Sequence, residues 1–163
     1  MTDITPCIWL DDTAEQAADL YLSLFPNSRR VDTVRYPDDP KALGPNASRA
    51  GQVMLEHVEL DGHPFTLLNG GPVFPQTEAV SFQVSCADQD EVDHYWNGLT
   101  ANGGSESPCG WCEDPFGVSW QIIPRRFTEL MQTPDPAVVA RVSQAMFSMT
   151  KLVVADLETA AAG

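Results

Sequence analysis

Short runs of the chain alternate apolar and polar residues with a period of two, and helical stripes separate them. Residues 4–10 (ITPCIWL) predict a strand with Ile4, Pro6, Ile8 and Leu10 on one face and Thr5, Cys7 and Trp9 on the other. Asp12 or Thr13 then caps a helix running to about residue 25, along which Ala14, Ala17, Ala18, Tyr21, Leu22 and Phe25 share a face. Pro26-Asn27-Ser28 stops it, and residues 29–36 read as the next strand. Residues 37–51, rich in Pro, Gly, Asp and Asn, form a loop. Strands at 52–60 and 64–69 follow, joined by Asp61-Gly62, a strong hairpin signal.

After a linker at 70–77 the order restarts. Residues 79–86 (AVSFQVSC) alternate cleanly, with Val80, Phe82 and Val84 opposite Ser81, Gln83 and Ser85. A helix over about 88–102 places Val92, Tyr95, Trp96 and Leu99 at helical spacing, and Gly103-Gly104 ends it. The last strands lie in 105–124, around Asp114-Pro115-Phe116-Gly117, whose residue types suit a type I turn. The outgoing strand sets Val118, Trp120 and Ile122 against Ser119, Gln121 and Ile123. The expected class is α+β: paired βαβββ modules with a C-terminal helical tail. Residues 1–126 form one domain of two modules, 1–72 and 73–126, and residues 127–163 form the tail. Helical turns are expected over 127–132, from Pro136 onward and within 151–162. The tail's apolar stripe (Val138, Val139, Val142, Ala145, Met146, Met149, Leu152, Val153, Leu157) must cover its own sheet or a second subunit, and this reading favours the subunit.

At 163 residues and 43% hydrophobic content the chain can bury a core. Its net charge of −14, with nine basic residues spread thinly, excludes nucleic acid as a partner. It also disfavours anionic membranes, and no apolar run approaches the ~20 residues of a span. No secretory signal is visible, so the expected location is cytoplasmic.

Four cysteines are present. Cys7 and Cys86 sit in strand-like runs and read as small hydrophobes. Cys109-Gly-Trp-Cys112 is a CxxC, but a turn and strand follow it in place of the helix that activates a redox thiol. No second CxxC supplies the remaining ligands of a zinc site. His57 and Glu59 lie two apart on a strand and could hold a metal or form an acid–base couple, though no third ligand is visible. His63 and His94 read as exposed. The runs Asp38-Asp39 and 88–93 read as a solvated loop and a dipole-favoured helix start.

The segments PCIWLDDTAEQAADLYLSLFPNS, VELDGHPFTLLNGGP, VSFQVSC, DEVDHYWNGL, GWCEDPFGVSWQIIP and KLVVADLETA together resemble the PhnB-like branch of the glyoxalase and vicinal-oxygen-chelate superfamily. That branch often carries the label 3-demethylubiquinone-9 3-methyltransferase-like. The resemblance implies sheets curled around a shared cavity, and a homodimer. It places the superfamily's metal-ligand positions near Thr5, between Leu67 and Asn69, at Ala79 and at Gln121. None of these positions matches the His, Asp, Glu or Cys pattern of a catalytic metal. Gly70-Gly71 runs into Pro72, not into the helix of an S-adenosylmethionine-binding turn. No metal and no cofactor are therefore expected. With the modules packed as in the family, Thr5, Trp9, Leu67, Asn69, Ser81, Gln83, Trp111, Ser119 and Gln121 would line a pocket for a neutral, partly aromatic small molecule. The expected function is small-molecule binding. The alternative is an enzyme on a small organic substrate, working through the pocket's polar groups or through a metal held by ligands such as His57, Glu59 and Glu56: a metal-assisted lyase, isomerase or dioxygenase, or the methyltransferase of the label.

Overall fold

The computed structural model describes residues 4–163, which fall in two compact units, one ending at residue 75 and the other spanning 76–163. Each holds a four-stranded sheet with the same strand order, so the duplication expected from pattern order is present in the backbone.

In the first unit, β1 (Cys7–Leu10) leads to α1 (Ala14–Leu24), β2 (Arg29–Arg35), β3 (Val53–Leu60) and β4 (His63–Asn69). The sheet runs β1-β4-β3-β2, with β1 parallel to β4 and the other pairs antiparallel. Ala14, Ala17, Ala18 and Tyr21 of α1 are wholly buried, packed over β3 and β4, where Val58, Leu60 and Leu67 are buried in turn. The three alanines let the helix axis lie close to the sheet, and each large apolar side chain buried there contributes roughly 1.5–3 kcal/mol. Asp61 and Gly62 both take positive φ (46° and 81°), the geometry of the tight hairpin turn that this dipeptide predicts.

The start of α1 departs from expectation. Thr13 occupies the N-cap position, but its side chain makes no capping bond. Asn69 at the end of β4 does this instead: its Oδ1 accepts from the Ala14 N–H at 2.8 Å and its Nδ2 donates to the Val53 carbonyl at 3.0 Å. The Asn69 carbonyl accepts from the Tyr36 hydroxyl and from Arg49, which also reaches the Asp12 carboxylate at 2.6 Å. This knot pins the loop at 37–51, which forms two short 3-10 turns, to the end of the sheet.

In the second unit, β5 (Phe82–Cys86) precedes α2 (Gln89–Thr100), β6 (Ser105–Glu106), β7 (Trp111–Glu113) and β8 (Ser119–Pro124), ordered β5-β8-β7-β6. Asp88 caps α2 by accepting from the Glu91 N–H, and the Glu91 carboxylate reaches back to the Ala87 N–H. Val92, Tyr95, Trp96 and Leu99 are buried, with α2 packed on β7 and β8. Between β7 and β8, the Gly117 N–H bonds the Asp114 carbonyl as the turn signal predicts. The Asp114 carboxylate, 1% exposed, accepts from the N–H groups of Phe116 and Val118 and from the indole of Trp120.

The tail belongs to this second unit. It forms α3 (Arg125–Met131), α4 (Pro136–Phe147) and α5 (Val154–Ala162). Leu130, Val142, Leu152 and Leu157 cluster with Ile123 of β8, flanked by Phe127, Met131, Val138, Met146 and Met149. The stripe expected to favour a second subunit packs on its own neighbours and on the end of β8. An amphipathic stripe records how much surface is to be covered, not by what.

Candidate functional site

Strand register assigns the candidate residues that lie in strands, all but Thr5 and Ser81, to a sheet face. In the second sheet Gln83, Gln121 and Trp111 stand opposite one another across β5, β8 and β7. The buried Cys86, Cys112, Trp120 and Ile122 have the other parity and face α2. Gln83, Trp111, Ser119 and Gln121 therefore share the face away from α2, and Ser81 joins them by accepting from the Gln121 amide at 2.8 Å. Ser119 is buried, Ser81, Trp111 and Gln121 are half-buried, and Gln83 is exposed. Ile123 continues this face and is covered by the tail, which bounds it at one end. The set offers amide and hydroxyl hydrogen bonds beside one indole, and the Glu113 carboxylate, opposite Ser119, is the charge on the same face of these strands.

The first sheet divides the remaining candidates. Trp9 lies on the face away from α1, with its indole N–H on the Gly71 carbonyl at 2.7 Å and Phe74 edge-on at 4.9 Å. Thr5, just before β1, is exposed. Leu67 and Asn69 do not join them. Leu67 pairs with Ile8 and with Glu56, both buried on the α1 side, and Asn69 is the α1 cap. The expectation that these two line the open face is corrected: their parity is opposite to that of Trp9's neighbour Leu68.

Parity also splits the carboxylates proposed beside His57. Glu59 shares the face of His57 and forms an ion pair with Arg29. Glu56 points the other way, wholly buried, paired with Arg30 at 2.5 Å and accepting from Thr33 at 2.9 Å. His57, Glu59 and Glu56 thus cannot act as one set. His63 and His94 are exposed as expected, His94 lying edge-on to Tyr95.

A cleft of about 460 Å³ in the first unit is lined by Asp12, Glu15, Arg35, Gln52, Val53 and Asn69, among others. Its best-placed polar groups are engaged already, Asp12 by Arg49 and Asn69 by the α1 cap.

All four cysteines are free thiols. Burial pushes the Cys112 thiol up to about 12, with Asp114 and Glu106 adding to it. Burial, then Glu91, does the same to Cys86, also to about 12. Thiols this far from ionisation at neutral pH are poor nucleophiles and poor metal ligands. Cys109 sits in a turn at positive φ (63°), not at a helix N-terminus.

The fold's relatives raise the question of a divalent metal. The side chains at the implied positions are the Thr5 hydroxyl, Leu67, Leu68 or the Asn69 amide that already caps α1, the Ala79 methyl and the Gln121 amide, a donor set that does not fit one. Among the described residues no three His, Cys, Asp or Glu side chains gather to hold an ion. A common S-adenosylmethionine site is not built either. Gly70 and Gly71 end β4 of a largely antiparallel sheet, and they serve Trp9: a Cβ at Gly70 would lie 2.2 Å from the indole ring.

Two modules of identical βαβββ order, each with one helix on four strands, define a protein of the glyoxalase and vicinal-oxygen-chelate fold. The family profile of 3-demethylubiquinone-9 3-methyltransferase matches residues 2–123, and the chain belongs to that family, in its PhnB-like branch. A PhnB protein from Bacillus cereus bearing the same methyltransferase name is 27% identical over 76% of this chain and 99% of its own, with a TM-score of 0.63. Protein PA1353 from Pseudomonas aeruginosa is 17% identical over 76% of this chain and 98% of its own, at a TM-score of 0.56. The fosfomycin resistance protein FosX from Listeria monocytogenes, solved with Mn(II) and sulfate, is 14% identical over 74% of this chain and 89% of its own, at 0.51. The last two speak for the fold alone. No protein of curated function matches the chain significantly. Among the described residues no helix is long and apolar enough to cross a membrane.

Sequence reasoning missed one group. Cys7, Thr66, His57 and Asp32 stand in a single row across β1, β4, β3 and β2, on the face away from α1. Asp32 reaches that row through a register shift between Arg30 and Asp32, which the sequence does not announce.

Proposed function

We propose that this protein binds a small, uncharged organic molecule on the face of its second sheet that lies away from α2, without a tightly bound catalytic metal. The row Gln83–Gln121–Trp111, joined by Ser81 and Ser119, carries the reading. An aromatic ring beside convergent amides and hydroxyls is the lining that small-molecule sites use. Donor chemistry at the superfamily's ligand positions supports the same conclusion, since hydroxyl, methyl and amide leave a ligand to be held by hydrogen bonds and contact. The family likeness further supports a homodimer, and the sequence supports a cytoplasmic protein that takes neither nucleic acid nor membrane as a partner.

A thermal-shift screen of neutral aromatic and heterocyclic compounds, run with EDTA and again with manganese, zinc or nickel, tests this reading. Compounds that raise the melting temperature equally in EDTA are expected. Stabilisation confined to the metal-loaded samples would overturn it.

A further inference from the structure

We propose that the cleft of the first unit binds a small zwitterion of the amino-acid class. Glu15 holds its ammonium group and Arg35 its carboxylate. This is a site in its own right, built wholly from the first unit, and it does not rest on the function proposed above.

The cleft, of about 460 Å³, has the size that small-molecule sites occupy. Its charged lining side chains are Asp12, Glu15 and Arg35. Arg49 neutralises Asp12 at 2.6 Å, which leaves one carboxylate and one guanidinium. Both are exposed, so a molecule in the cleft can reach them. Glu15 comes from the first turn of α1 and Arg35 from the last residue of β2. Among the described residues neither takes part in an ion pair, with the other or with any third group. Arg35 is nonetheless positioned: its Nη1 donates to the carbonyl of Gly51, another lining residue, at 3.2 Å. Its Nε and Nη2 remain, the edge that a guanidinium offers to both oxygens of a carboxylate.

The signs of these charges select the ligand. A simple anion satisfies Arg35 but meets Glu15 as a like charge, and a simple cation satisfies Glu15 but meets Arg35. A molecule that carries both charges satisfies both side chains and leaves the balance of the site unchanged. Ala50 and Val53, also in the lining, give apolar contact to the carbons between its two ends.

Titrating the isotope-labelled full-length protein with γ-aminobutyrate, alanine, butyrate and butylamine tests the assignment, read by NMR on backbone amides and the Arg35 Nε–H. At least one zwitterion is expected to move the Gly51, Gln52 and Arg35 signals and to bind about fivefold more tightly than butyrate or butylamine. Glu15→Gln is expected to weaken that zwitterion by a similar factor without weakening butyrate. Arg35→Gln should do the same without weakening butylamine, and an otherwise unchanged amide spectrum reports that each variant is folded. Butyrate or butylamine binding as tightly as both zwitterions overturns the assignment, as does a cleft whose signals none of the probes moves. Shifts confined to the Gln83 and Gln121 side-chain amides overturn it too, and bear only on the second-sheet face.

Discussion

The side chain of Asn69 caps the helix that begins at Ala14, 2.8 Å from Oδ1 to backbone nitrogen, across 55 residues of sequence. The last residue of β4 thus fixes where α1 starts, while its own Nδ2 holds β3 at Val53. Asn69→Ala removes a cap and a buried hydrogen bond together. It is expected to cost about 2–3 kcal/mol, read as a lower midpoint in urea unfolding with an unchanged slope.

Asp114 plays the equivalent part in the second unit. One buried carboxylate satisfies two N–H groups of its turn and the Trp120 indole. Asp114→Ala strands three donors and is expected to destabilise by about 3 kcal/mol or more. Asp114→Asn keeps the Oδ1 acceptor but turns an amide NH₂ toward the indole, and should lie between alanine and wild type in thermal unfolding.

The cysteines give a chemical test of the same packing. With thiols pushed up to about 12 by burial, Cys86 and Cys112 are expected to resist iodoacetamide at pH 8 in the native protein. Cys7 is exposed, and Cys109 is partly exposed in its turn. Peptide mapping should find the label at these two first, and at all four only after denaturation.

A pH effect follows from the tail's attachment to α2. Lys151 donates to the Asp93 carboxylate at 2.6 Å, and Gln89 also bonds it. The Lys151 hydrogen bond, with that from Gln89, holds the Asp93 carboxyl below its ordinary range. Because the folded-state value is the lower one, this contribution is complete above the unfolded-state value near 3.9 and is lost as pH falls through the folded one. Both groups are substantially exposed, so the effect on stability is small. NMR titration should show Asp93 protonating at lower pH than in Lys151→Met, where it returns toward an ordinary carboxylate.

The legibility of the chain differs between its halves for a physical reason. In 81–86 polar and apolar residues alternate up to Cys86, so Ser81 and Gln83 could be assigned a face from the sequence; register agrees for Gln83, and the Gln121 hydrogen bond places Ser81 beside it. In 65–69 apolar residues occupy both parities, and only pairing with Glu56 and Ile8 reveals that Leu67 faces α1. The role of Asn69 and the row through His57 depend on contacts between distant segments and on one register shift, which local pattern does not encode. The tail's helices were legible from their stripes, while their seat on Ile123 was not.

The account stands most directly on a calorimetric titration of the strongest compound from the screen into wild-type protein and into Gln121→Ala. It predicts equal affinity in EDTA and in manganese for the wild type, and about tenfold weaker binding for the variant at an unchanged melting temperature. Binding that requires manganese, or affinity indifferent to both Gln121→Ala and Gln83→Ala, would contradict it.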